Sequence, residues 1–117
     1  MILVMNIRNV PPLHKRPERT MFFYIGRNIH NAIERNLLDA TVLGNPYHIG
    51  VDGNREEVVA KYEVRIEKDD NVSSNINVLL NKLASISKEV DIVLVCHCAP
   101  LACHGDVLKK KILSYVD

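Results

Sequence analysis

The side chains best able to do chemistry are crowded into one stretch, Val90 to Val107 (VDIVLVCHCAPLACHGDV). All three cysteines and two of the five histidines of the chain lie between Cys96 and His104, and Gly105 and Asp106 follow directly. Three kinds of chemistry fit these residue types. The first is anion binding. Gly105 and the free N–H groups of a helix start would hold a phosphate. His104 or Asp106 would then serve as acid or base. The second is a tetrahedral zinc site made by Cys96, Cys98, Cys103 and His104, with His48 as a possible replacement. The C-x-C-x₄-C-H spacing is uncommon for zinc, and adjacent Cys103 and His104 would have to turn to one ion. The third is thiol chemistry at Cys103, beside His104 and near a helix N-terminus. Cys96, ending an apolar run, also fits a purely structural role.

The flanking elements must place these groups. Ile92 to Val95 is a continuous apolar, β-branched-rich run, which suits a strand buried on both faces of a parallel sheet. Pro100 should stop it. A helix should start near Asp106 as N-cap, with Leu108, Ile112 and Val116 inward and Lys109, Lys110 and Lys111 largely outward. The cluster therefore belongs on a strand-to-helix turn at the carboxyl end of a sheet, where open α/β folds bind ligands.

Upstream, Ile2 to Val10 reads as a strand ended by Pro11 and Pro12. His14, Lys15, Arg16 and Arg19 read as a solvated connector. Met21 to Ile25 reads as a second strand closed by Gly26 and Arg27. A short amphipathic helix with Ile33, Leu37 and Leu38 inward is one reading of Asn28 to Thr41. Leu43 to Pro46 (LGNP) is a turn. Asn54 with Glu57 makes a capping box for a helix burying Val58, Val59, Tyr62 and Ile66. After a break at Asn71 to Ser74, another helix runs to about Lys88, with Ile76, Leu79, Leu80, Leu83 and Ile86 inward. The order β, β, loop, α, α, β, α predicts one α/β domain over residues 1–117. Its expected form is a small three-layer α/β sandwich on a mostly parallel sheet.

The bulk numbers exclude several classes. At 117 residues with 47% apolar and 25% charged residues, the chain is globular. Fifteen basic against fourteen acidic residues give a net charge of +1, so no broad nucleic-acid or membrane field is expected. MILVMNIRNV lacks a basic n-region and a cleavage site, so no signal peptide or membrane span is expected. Three clustered cysteines fit reduced thiols in a cytoplasmic setting better than a disulfide framework. P-loop, zinc-deaminase and G-x-S-x-G signatures are absent.

The stretch Cys96 to Val107 resembles the closing signature of domain-of-unknown-function family 4326, small and mostly phage or bacterial proteins. Tyr24-Ile25-Gly26-Arg27, Leu43-Gly44-Asn45-Pro46 and Asp52 to Val58 match the family in the same order, so the resemblance covers nearly the whole chain. Members often carry Trp where His97 stands, which sets His97 outside the expected ligands. The general layout is similar to that of Rossmann-like proteins that handle nucleotides, so the resemblance implies a Rossmann-like sandwich, and host cytoplasm where a phage encodes the protein.

Together these readings predict a pocket for a phosphorylated, nucleotide-like ligand. Its binding residues would be Gly26, Arg27, Gly44, Asn45, His48, Cys98, Cys103 and Gly105. Arg27 would pair with phosphate and Asn45 with a base or ribose edge. Whether the ligand reacts is left open. The competing class is a small zinc-binding or host-protein-binding molecule without catalysis, and a homodimer is compatible with either.

Overall fold

The computed structural model describes residues 1–68, 74–99, 101 and 103–116. Four strands form one all-parallel sheet: β1 (Ile2–Asn6), β2 (Thr20–Tyr24), β3 (Leu38–Asp39) and β4 (Asp91–Cys96), in the order β1-β4-β2-β3. Four helices accompany them: α1 (Ile29–Glu34), α2 (Arg55–Lys68), α3 (Asn75–Ser87) and α4 (His104–Ser114).

β4 is an internal strand, paired along its length with β1 and β2. Val4 and Phe23 flank Leu94 in register, and Ile92 to Val95 are essentially inaccessible. Alternate residues serve two cores, as strand geometry requires. Ile92, Leu94 and Cys96 face a larger core filled by Tyr62 and Ile66 of α2, Leu80 and Leu83 of α3, and Leu108 and Ile112 of α4. Val93 and Val95 face a smaller core with Phe22, Tyr24, Ala32 and Leu37. The expected α/β sandwich is present, with unequal outer layers: three helices on one face, α1 and a short turn on the other.

Several boundaries differ from the sequence reading. The first strand stops at Asn6 rather than Val10, because the Asn6 side chain accepts the Arg8 N–H at 2.9 Å and caps a 3₁₀ turn at Ile7–Asn9. The second strand is shifted one residue, to Thr20–Tyr24. The region Asn28 to Thr41 holds both a helix and the short edge strand β3. Ala32 and Leu37 are buried there, whereas Ile33 and Leu38 are exposed. Arg16 is no free connector. Its guanidinium donates to the carbonyls of Pro11, Arg35 and Asn36 and lies over the Phe22 ring, tying the β1–β2 connection to the C-terminal end of α1. Pro100 and residues 71–73 of the expected break lie outside the described residues, and Ser74 caps α3 by accepting the Asn77 N–H.

The expected capping box of α2 is present in both directions. Asn54 N–H donates to Glu57 Oε1 at 3.0 Å and Glu57 N–H to Asn54 Oδ1 at 2.9 Å. No helix among the described residues is long and apolar enough to cross a membrane.

α4 starts at His104, two residues before the expected N-cap. Cys103 is the N-cap, and Asp106 sits in the first turn with Oδ2 accepting the Cys103 N–H at 3.3 Å. Gly105 lets this turn press on the sheet: an added Cβ would lie 2.8 Å from Val4 Cγ1 and 3.2 Å from Ile25 Cδ1. An alanine would gain up to about 1 kcal/mol of helix propensity but meet a wall that does not yield, at a cost of about 1–3 kcal/mol. Gly105→Ala should therefore lower stability in urea denaturation. A stabilised variant would contradict this packing.

Candidate functional site

Because all strands run parallel, their carboxyl ends open on one edge. A cavity of about 290 Å³ lies there. Its cations are Arg27, just past β2, and Arg55, the first residue of α2. Three imidazoles join them: His48, His97 and His104. Cys98, Cys103, Asn45 and Tyr47 add polar or polarizable groups, and Ile49, Val58 and Val59 add apolar wall. No carboxylate among the described residues lines it.

The turn after β4 is held from below by Asn6, a buried residue that the sequence reading passed over. Its Nδ2 donates to the carbonyls of His97 and Ala99, both at 3.0 Å. The amide thus fixes the turn that presents His97 and Cys98. A buried amide satisfied on both its oxygen and its nitrogen is a costly group to lose.

The loops expected to converge do so. An added Cβ at Gly44 would sit 3.0 Å from Arg27 Cγ and 3.2 Å from the Gly26 carbonyl, so these two loops touch. Gly26, Arg27, Asn45, His48, Cys98 and Cys103 line the cavity, while Gly44 and Gly105 support it from behind. Asn45 braces its own loop, with Nδ2 donating to the Val58 carbonyl and Oδ1 accepting the Tyr47 N–H. Arg27 Nη1 lies 2.8 Å from the His48 ring nitrogens and donates to that ring. Asp106 is outside the cavity lining and is occupied with the α4 cap.

His104 is held rigidly. Its Nε2–H donates to the Ile25 carbonyl at 2.7 Å, and the ring meets Tyr62 edge-on at 5.2 Å. Tyr62 is itself fixed by donating to the Leu43 carbonyl, and burial pushes its phenol far up. Burial, reinforced by the Arg27 charge, holds His104 below its ordinary value, against the opposing pull of the Ile25 hydrogen bond. It is therefore a neutral imidazole with its Nε2 proton committed.

His97, set outside the expected ligands, lines the cavity and is oriented by Tyr24, whose hydroxyl lies 2.7 Å from Nε2. Asn31 Nδ2 donates to the same hydroxyl at 3.0 Å, so the phenol proton is directed at the imidazole.

Cys96 and Cys103 are buried, free and in contact, with sulfurs 3.4 Å apart. The Cys103 thiol donates to Cys96, which lowers Cys96 toward about 6 despite its burial. The same bond, with burial, pushes Cys103 up. Cys98 is partly exposed in the cavity wall. Among the described residues no group of three or more His, Cys, Asp or Glu side chains is placed to hold a metal ion.

A family model for a domain of unknown function, DUF4326, matches residues 13–114. The chain belongs to that family. Comparison with curated proteins and with solved structures returned no match. The part of the chain matched by the DUF4326 model contains every segment that lines the cavity, from Gly26 to His104.

Arg55, His97 and Tyr47 are the polar lining groups not expected from sequence. Arg55 lay within a matched segment, and its position signals a role. A cation in the first turn of a helix opposes the macrodipole, so local stability does not explain it.

The state of His104 has a consequence for acid stability. A folded value below the ordinary 6.5 means that the unfolded chain binds the proton more readily. The contribution is fully present above about pH 6.5 and is lost as pH falls below it. His104→Gln should show a shallower fall in urea midpoint between about pH 7 and pH 5 than the native protein. Equal slopes would contradict a buried neutral imidazole.

Proposed function

We propose that this cavity binds a phosphorylated, nucleotide-like small molecule. The observation that carries the reading is the pairing of Arg27 and Arg55 in a cavity lined by three imidazoles and no described carboxylate. Arg55 Nη1 is buried and has no hydrogen-bond partner among the described residues. A buried guanidinium N–H without an acceptor is expensive, and a bound phosphate oxygen supplies one. Two like charges lining one cavity also repel until an anion offsets them.

The remaining groups suit the rest of such a ligand. The first-turn N–H groups of His104 and Gly105 are at the positive end of α4, and Asp106 occupies the Cys103 N–H rather than theirs. Tyr47, Ile49, Val58 and Val59 offer a ring-sized apolar wall for a base. A volume near 290 Å³ suits one nucleotide-sized group rather than a dinucleotide. If the ligand reacts, His97 is the better-placed proton carrier. His104 keeps its proton on the Ile25 carbonyl, whereas His97 is exposed and is aligned by Tyr24.

Calorimetric titration with adenosine monophosphate tests the reading, with adenosine as control. The monophosphate should bind and adenosine should bind much more weakly. Arg27→Ala and Arg55→Ala should each weaken the monophosphate by about 1.5–3 kcal/mol, the worth of a charged hydrogen bond. Arg27→Ala should leave unfolding free energy within about 0.5 kcal/mol of native, since the side chain is at the rim. Equal affinity for nucleoside and monophosphate, or two variants that bind like the native protein, would refute the proposal.

A further inference from the structure

The Tyr47 ring also lines a shallow groove of about 760 Å³ along α2, floored by Ala60 and Val64 and edged by Lys61, Arg65 and Lys68. Those three cations recur at i, i+4 and i+7 and so share one helix face. Four acids lie on the same helix: Glu56 is exposed in the first turn, and Glu57 is one turn before Lys61 on the same face. Glu63 and Glu67 line a separate depression against α4, and Glu57 is engaged in the capping box. Asp69 and Asp70 follow in sequence and lie outside the described residues. A net charge of +1 thus averages over a helix whose charges from Lys61 to Lys68 line two different depressions, cations in one and Glu63 and Glu67 in the other.

Part of this pattern has a local cause, because Arg65 and Lys68 fall in the last turn of α2, where cations suit the dipole. That cause does not extend to Lys61, whose ammonium lies 5.9 Å from the Tyr47 ring centre and donates to the Asp52 carbonyl. Nor does it account for an aromatic ring shared by the cationic groove and the arginine-lined cavity.

We infer that the α2 groove binds the phosphodiester backbone of a single-stranded oligonucleotide whose phosphorylated end enters the cavity. The inference rests on the cavity being a phosphate site, and it names the ligand class of that site. Cations at intervals with an interleaved aromatic ring are what sequence-tolerant single-strand binding uses. The stripe spans about 10 Å along α2, enough to follow the chain beyond one phosphate. A bare polyphosphate would use the cations but leave the Tyr47 face and the apolar floor without a partner.

The test is fluorescence anisotropy with labelled, 5′-phosphorylated hexathymidylate, with thymidine monophosphate as the short comparison. The native protein should bind the oligomer at least about tenfold more tightly at low salt, and the advantage should shrink as salt is added. Arg65→Gln/Lys68→Gln, which removes charge but keeps helix propensity, should abolish that advantage and leave the monophosphate affinity unchanged. Equal affinity for oligomer and monophosphate, or an advantage that survives the double substitution, would overturn the inference. So would inorganic polyphosphate that binds more tightly than the oligomer. If oligomer binding persists in Arg27→Ala/Arg55→Ala and is lost only in Arg65→Gln/Lys68→Gln, the cavity reading falls and this inference falls with it. The reverse result keeps the cavity and removes the groove.

Discussion

The structure depends on the burial of β4 on both faces of a parallel sheet. Ile92 to Val95 have β1 and β2 on either side and apolar cores above and below. That position fixes where β4 must end, because Cys96 is in register with Asn6. Asn6 then uses its amide to hold the next turn through the His97 and Ala99 carbonyls. A short edge element could not carry a turn so constrained. A central strand can, since shifting it by one residue would exchange its two core faces.

The electrostatic character of the cavity follows from how nearby helix ends are capped. Asp106, two residues past His104, is drawn away by the Cys103 N–H. Glu57 is drawn away by Asn54. With these carboxylates committed to caps, the rim is left to Arg27, Arg55 and three imidazoles. Burial keeps His104 neutral, so it adds a fixed ring and not a third strong charge. The contact of Cys96 with Cys103 belongs to the same hinge between β4 and α4, packed into the larger core.

Much of this was legible in the sequence wherever one local rule acted alone. The apolar run at Ile92 to Val95 had one sensible placement. Asn54 with Glu57 announced a helix start, and Gly26-Arg27 and Leu43-Gly44-Asn45-Pro46 announced chain reversals that reach the same edge. The failures arose where tertiary contact outweighed local pattern. Cys103 took the cap expected of Asp106 because the reciprocal Asp106–Cys103 contact sets the N-cap of α4 three residues earlier. Ile33 and Leu38 looked like core, yet Ala32 and Leu37 fill the space that the thin layer leaves. Arg55 and His97 are recognisable only from the cavity they line, although a cation at a helix start was a usable signal for Arg55. Asn6 could not be read at all, since its partners are more than ninety residues away.

The most direct test of the central claim is a crystal structure of the protein with adenosine monophosphate bound. The account predicts the phosphate between Arg27 and Arg55, within hydrogen-bond reach of Arg55 Nη1 and of the first-turn N–H groups of α4 at His104 and Gly105. The base should rest on the wall formed by Tyr47, Ile49 and Val59. A phosphate seated elsewhere, with Arg55 Nη1 still without an acceptor, would contradict it.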